Sequence, residues 1–274
     1  MIRRISAIAG AELRIALRNR WILIATSLMV LFSLALTFSG SAPTGALGVD
    51  LLTVSVASMT TLSVYLVPLL ALLMSFDAIA GEVERGALAL VLTYPVSRGE
   101  LLVGKLVSHL VVLSLAVFLG FGIAGLAAWL AGGASGESLA ALLRLCWSAV
   151  VLGASFLAIG YALSSVARSS SAAAGLAIGV WILFVVLYDL GLLGALVYDG
   201  GGFFTRKIFP LLLAANPADA FRIFNLSGTG KVALASGLAG ATTGLPGWAV
   251  LVSMFGWPLA ILALARLALK RVEP

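Results

Sequence analysis

The sequence predicts an all-α membrane protein with six transmembrane helices, an amphipathic N-terminal helix, a long cytoplasmic loop and partly immersed outer helices. Three observations carry this. Of 274 residues, 62% are apolar and 10% charged, with a mean hydropathy of +1.16, whereas a soluble domain is about one quarter charged. Six intervals contain no Asp, Glu, Lys or Arg: Arg20 to Asp50, Asp50 to Asp77, Lys105 to Glu137, Arg144 to Arg168, Arg168 to Asp189 and Lys231 to Arg266. Each can supply the ~20 helical residues that cross a ~30 Å hydrocarbon core. Finally, with the N-terminus inside, twelve Lys and Arg fall on the cytoplasmic side and five outside, the asymmetry that orients membrane helices.

That asymmetry also explains the net charge of +6. Six acidic residues lie inside and five outside, so the whole surplus is cytoplasmic. No basic cluster interleaved with aromatics suggests nucleic acid. One Cys and one His exclude a disulfide framework and a metal site built from several such side chains of one chain.

Residues 1–20 read as an interfacial helix. At about 100° per residue, Arg3, Arg4, Arg14 and Arg18 share one arc, with Ile2, Ile5, Ile8, Leu13 and Ala16 opposite. The basic arc suits anionic cytoplasmic lipid. Glu12 sits on the apolar side and requires either a protein neighbour or a snorkelling conformation. A cleaved signal peptide is excluded, because the apolar run starts late, is long, and Pro43 follows the small segment Ser39 to Ala42. The remainder, 21–274, holds spans near Trp21 to Phe38, Leu51 to Phe76, Leu106 to Leu130, Leu145 to Ser164, Ala172 to Leu193 and Trp248 to Leu267.

Two connections exceed what a helix hairpin needs, and long loops are usually functional. The inner one, 77–105, holds Asp77, Gly81, Glu82, Glu84, Arg85 and Gly86, a half-apolar run from Ala87 to Tyr94, and then Pro95, Arg98, Glu100 and Lys105. Pro95 and the glycines break it into short helical pieces. The outer one, 199–247, starts with Gly200, Gly201 and Gly202. Asn216-Pro217 reads as a helix cap with proline at the first helical position. Phe203, Phe204, Phe209 and Leu211 to Leu213 are too apolar for a free loop, so short helices immersed at the outer rim are expected. The glycosylation pattern at Asn225 is too short to carry weight.

Chemistry is sparse. Gly99 to Leu106 falls one residue short of a phosphate-binding loop, for Leu106 stands where Ser or Thr would hold Mg²⁺ and no strand precedes it. The lone His109 reads as hydrogen-bonded structure in preference to a proton relay. Asp77 and Asp189 lie at span ends on opposite sides, and no ionisable residue sits mid-span, which disfavours an ion-coupled secondary transporter. Gly175-x-x-x-Gly179, and Gly153 with Gly160, form small faces for close packing, within the chain or against a second copy.

Together, the six spans, the basic N-terminal helix and the loop Gly81-Glu82-Val-Glu84-Arg85-Gly86, followed by Tyr94-Pro95-Val-Ser-Arg98 and Gly104-Lys105, resemble the type-2 ABC permeases over nearly the whole chain. Leu92-Thr-Tyr-Pro95, Gly175-Leu-Ala-Ile-Gly179-Val-Trp181, Asn216-Pro217-Ala-Asp219 and Asn225-Leu-Ser-Gly228 are similar to the branch that serves nitrous oxide reductase. The resemblance implies a non-catalytic, multi-pass subunit of the bacterial inner membrane with both termini cytoplasmic. It implies a homodimer, two cytoplasmic ABC ATPase subunits that bind ATP and Mg²⁺, and a periplasmic β-helical partner. It assigns ATPase coupling to Gly81, Glu82, Glu84, Arg85, Gly86 and Arg98, and outer-partner contact to Asn216, Pro217, Asp219 and Arg222. The dimer seam falls on Gly175 and Gly179. No catalytic, cofactor or metal residue is implied in this chain. The branch matures a copper-sulfide centre, but Met29, Met59, Met74 and Met254 are scattered and Cys146 is single. A sulfur species, or force passed to the outer partner, therefore fits better than a copper relay. The other readings are an ion-gradient-driven transporter and a membrane anchor that moves no substrate.

Overall fold

The N-terminal periodicity becomes α1 (Ile2–Leu17) and the first apolar run α2 (Arg20–Ser39) in the computed structural model, which describes residues 2–39, 50–227 and 246–272. The expectations for Pro43, Gly228, Lys231 and the rest of 40–49 and 228–245 lie outside the described residues. After α3 (Leu51–Ser75) come two short helices, α4 (Ala80–Glu84) and α5 (Ala87–Val91). Gly86 joins them at φ +67°, a left-handed backbone that disfavours any residue with a Cβ. The next two helices are long, α6 (Arg98–Gly132) and α7 (Gly136–Val166). Then α8 (Ser170–Asp199) carries a π turn at Leu183–Leu187. A second π turn, Phe204–Ile208, leads into α9 (Phe209–Ala215), followed by α10 (Pro217–Leu226) and α11 (Gly247–Leu269). Six of these helical stretches are long and apolar enough to span a membrane, and no strand occurs among the described residues.

Three boundaries differ from the expected ones, and capping explains two. Ser97 Oγ accepts the Glu100 amide at 3.1 Å while Glu100 Oε2 accepts the Ser97 amide at 2.8 Å, a reciprocal cap. Helix α6 therefore starts at Arg98, eight residues before Leu106, and the loop expected over 77–105 ends at Ser97. Ser135 and Ser138 repeat the device, so α7 starts at Gly136 and not Leu145. Searching for charge-free runs cuts these helices at Lys105 and Arg144, although the backbone continues through both. The third boundary is the far end of α8, which runs to Asp199, past Leu193.

Helices α3, α6 and α7 form the centre. In the most apolar stretch of α7 67% of residues are buried, in the second span 56% and in α6 44%, against 17% in each of α2, α8 and α11. Small residues bring the central helices together. A Cβ at Gly153 would overlap Leu113 of α6, and one at Gly160 would overlap Ser75 of α3, so these two glycines serve packing within the chain. Gly175 and Gly179 of α8 are exposed and would meet nothing within 4 Å. Buried hydroxyls satisfy themselves locally: Thr60, Ser63 and Ser75 each donate at 2.7 Å to the carbonyl four residues back.

The bundle has two distinct ends. At the near end, α1 lies on the start of α6, and the Arg98 guanidinium donates to the carbonyls of Leu269 and Lys270 at 2.7 and 2.8 Å, capping α11. At the far end, Asp50 accepts the Thr53 amide at 2.7 Å and the Ser135 amide at 3.0 Å, tying the start of α3 to the α6–α7 turn. The packing makes a clear contrast. Gly160→Leu is expected to destabilise the chain by about 2 kcal/mol or more through overpacking, and Gly179→Leu to leave monomer stability within about 0.5 kcal/mol, as read by thermal unfolding in detergent.

Candidate functional site

The near-end loop is fastened to three spans. Ser164 Oγ, at the end of α7, accepts the amides of Ile79 and Ala80 at 3.0 and 2.9 Å, satisfying donors that the start of α4 would leave unpaired. Glu84 Oε2 accepts the Ser170 amide at 2.9 Å, placing a carboxylate at the positive N-terminus of α8. Asp77 accepts from the Ser170 hydroxyl and pairs with Arg85 at 3.2 Å. A Cβ at Gly81 would displace the Asp77 carboxylate from its bonds to Ser170 and Arg85. Glu84, Arg85 and Gly86 remain exposed.

Beneath this loop, Lys105 holds three elements on one ammonium. Its side chain is 3% exposed, and Nζ donates to Glu12 Oε1 of α1 at 2.5 Å and to Glu82 Oε1 of α4 at 2.7 Å. The neighbouring Gly104 admits α1, since a Cβ there would stand 2.6 Å from Ile8 Cγ2. Burying a charge is costly unless it is paired and hydrogen-bonded, and two carboxylates meet that requirement for Lys105. Of the two alternatives open for Glu12, a protein neighbour or snorkelling, the structure shows the neighbour, Lys105. Three of the residues assigned to ATPase coupling make contacts within the chain: Gly81 is buried, Glu82 points onto Lys105, and Arg98 caps α11. One turn along α6, buried His109 shares a hydrogen bond of 2.6 Å between Nδ1 and the Tyr161 hydroxyl, with the two ring planes within 5° of parallel, which matches the structural reading of this residue.

At the far end, Asn216 caps α10 as predicted: Oδ1 accepts the Ala218 amide at 2.9 Å, and Nδ2 donates at 2.8 Å to the Phe184 carbonyl inside the π turn of α8. Arg222 bridges two carboxylates at 3.0 Å each, Asp219 on its own helix and Asp189 on α8. Asn216, Pro217 and Asp219 are buried in the bundle, so they do not form an outer contact surface; their apolar neighbours pulled α10 inward. Asp189 is also not at a span end, because α8 continues to Asp199. Burial pushes the Asp219 carboxyl up to about 7 against the opposing pull of Arg222. Asn225 is buried and bonded to Ser148 at 2.9 Å and to the Phe221 carbonyl at 3.0 Å, which removes the glycosylation reading.

The pairings of Lys105 with Glu12 and Glu82, and of Arg222 with Asp189, are what residue patterns missed. The signal for Lys105 was available in a carboxylate on the apolar side of α1 and a lysine flanked by apolar residues. Nothing in the sequence could place Asp189 against Arg222, since that contact depends on how α10 folds back.

A family model described as "ABC-2 family transporter protein" matches residues 6–273. The "Probable ABC transporter permease protein NosY" of Pseudomonas aeruginosa is 43% identical over 262 residues, covering 94% of each chain. The protein of the same name from Stutzerimonas stutzeri is 41% identical over 268 residues, covering 96% of this chain and 97% of the relative.

Two outcomes test the ionic sites. Lys105→Met is expected to cost about 3 kcal/mol, because it leaves two carboxylates facing each other without a cation, while Glu12→Gln costs less; thermal unfolding in detergent reads both. Asp219 holds its proton to about pH 7 when folded and releases it near about 4 when unfolded. The native state therefore binds more protons between those values, and stability falls as pH rises from about 4 to about 7. Asp219→Asn is expected to flatten that slope in melting curves recorded across the interval.

Proposed function

The chain belongs to the ABC-2 family of transporter proteins, and from that premise we propose that it couples ATP hydrolysis on a separate ATPase to movement of its own spans. It is the permease subunit of an ABC transporter, similar to the proteins named NosY. In our reading the near end is cytoplasmic in the bacterial inner membrane, and two ABC ATPase subunits, which bind the ATP and Mg²⁺, dock against it. The permease itself carries out no chemistry and holds no cofactor. Two copies pair through the exposed small face at Gly175 and Gly179, and a periplasmic β-helical protein meets the far end.

The observation that carries this reading is the construction of α4. It is short, exposes Glu84 and Arg85, and is bonded at once to Ser164 of α7, Ser170 of α8 and, through Glu82, Lys105 of α6. A push on such an element reaches three spans. The direct ATPase contacts are thus Glu84, Arg85 and Gly86, while Gly81, Glu82 and Arg98 pass the displacement inward.

We assign the system to maturation of the copper-sulfide site of nitrous oxide reductase. Met29 lies on α2, Met59 and Met74 on α3 but fifteen residues apart, Cys146 on α7 and Met254 on α11, all buried and spread over four helices. That distribution favours a sulfur species, or force delivered to the outer partner, over copper handed along the spans. The charge swap Glu84→Arg with Arg85→Glu is expected to abolish pulldown of the cognate ATPase and to lower its stimulated hydrolysis about tenfold or more. Unchanged pulldown and hydrolysis in a folded variant would mean that α4 is not the docking element.

A further inference from the structure

A cavity of about 620 Å³ opens at the near end, where α7 and α11 finish beside Val83 of α4. Two guanidinium groups line it, Arg168 and Arg271, and no carboxylate does. Both arginines are exposed, and neither pairs with an acid among the described residues. The carboxylates of the neighbouring loop are committed elsewhere: Glu82 to Lys105, Glu84 to the Ser170 amide, and Asp77 to Ser170 and Arg85. The cavity therefore carries two uncompensated positive charges. Arg98 occupies the last carbonyls of α11, which weakens the negative potential with which that helix end would repel an anion.

Deeper in, the wall is apolar. Leu264 and Leu267 of α11 are 55% and 56% exposed, and Leu264 stands about 10 Å from Arg271 along the helix axis, within the span. Arg168 and Arg271 each follow the last turn of a span, after Val166 and Leu269, which puts them at headgroup level. A soluble subunit can meet the arginines but does not reach the depth of Leu264. Filling both parts takes an anionic head on a hydrocarbon tail.

We propose that this cavity binds an anionic phospholipid, with its phosphate between Arg168 and Arg271 and one acyl chain along Leu264 and Leu267. Guanidinium groups hold phosphate oxygens by charge-assisted, paired hydrogen bonds. A choline lipid offers the same phosphate but brings a cation into a cavity that is already positive, so a head with net negative charge is preferred. The site uses none of the residues given to the ATPase contact, Glu84, Arg85 and Gly86, and stands independently of that reading.

The test titrates the purified full-length chain in detergent with dioctanoyl phosphatidylglycerol, dioctanoyl phosphatidylcholine and tailless glycerol 3-phosphate, reading bound ligand by native mass spectrometry. The glycerol lipid is expected to half-saturate at about tenfold lower concentration than the choline lipid or less, and the tailless ester to need at least as large an increase. Arg168→Gln with Arg271→Gln is expected to remove the preference without moving the lipid-free melting temperature, since neither guanidinium has a partner to lose. Arg3→Gln with Arg14→Gln, which removes two exposed cations of α1, is expected to keep it. A preference below about tenfold, one that survives the change at Arg168 and Arg271, or one lost equally with Arg3 and Arg14 overturns the site. Equal binding of glycerol 3-phosphate overturns the lipid in favour of a soluble phosphate ester. Loss of ATPase pulldown in the Arg168 and Arg271 variant with its lipid preference intact makes the cavity a protein contact instead.

Discussion

One buried ammonium sets the conditions for the near end of this molecule. Lys105 cannot be left unpaired in so apolar a place, and the two carboxylates that satisfy it come from helices far apart in the chain, Glu12 of α1 and Glu82 of α4. The requirement dictates where the amphipathic helix lies, how closely it approaches α6 at Gly104, and which way α4 turns. A hydrophobic residue of similar volume would remove the desolvation cost, but it would also remove the reason for α1 and α4 to move together. Specificity of arrangement is the return on an ion pair that adds little net stability.

The same logic, that polar groups with no water must find partners inside, organises the rest of the bundle. Ser164 caps α4, Glu84 caps α8, Arg98 caps α11 and Asp50 joins two turns at the opposite end. Each contact links elements distant in sequence. They surround a centre of α3, α6 and α7 in which glycines let backbones approach and hydroxyls bond their own helices. Around that centre, α2, α8 and α11 stay largely uncovered, as suits surfaces that meet lipid or another subunit.

The six spans were legible in the sequence because lipid imposes a length and a composition that few other constraints imitate. The amphipathic α1 and the Asn216 cap were legible for similar reasons, each resting on local spacing. Charge-free runs place the helix starts at Leu106 and Leu145, too late because the backbone continues through Lys105 and Arg144, whereas Ser97 and Ser135 carry the capping signal for starts at Arg98 and Gly136. The position of Glu12 left a protein neighbour and a snorkelling conformation both open, and only the fold shows that Lys105 is its partner. Asn216, Pro217 and Asp219 lie in the bundle and not on an outer surface because exposure depends on long-range folding: nothing local to Asn216-Pro217-Ala-Asp219 shows that α10 packs against α3, α7 and α11. Charged loops advertise their composition, while their orientation is decided by partners elsewhere in the chain.

The π turn at Leu183–Leu187 gives α8 two faces in place of one. A single extra residue in a helical turn rotates everything after it by about 100° relative to an uninterrupted α-helix. Above it, the exposed stripe of Gly175 and Gly179 runs on one azimuth; below it, Asp189 swings to where Arg222 can reach it, and Asn216 takes up the Phe184 carbonyl within the turn. The fifth span therefore behaves as a phase shifter, presenting one set of residues to its surroundings and another to its own fold. Deleting one residue from this stretch would leave hydropathy and length nearly unchanged while putting every downstream side chain out of step, so the register of α8 carries information that composition does not.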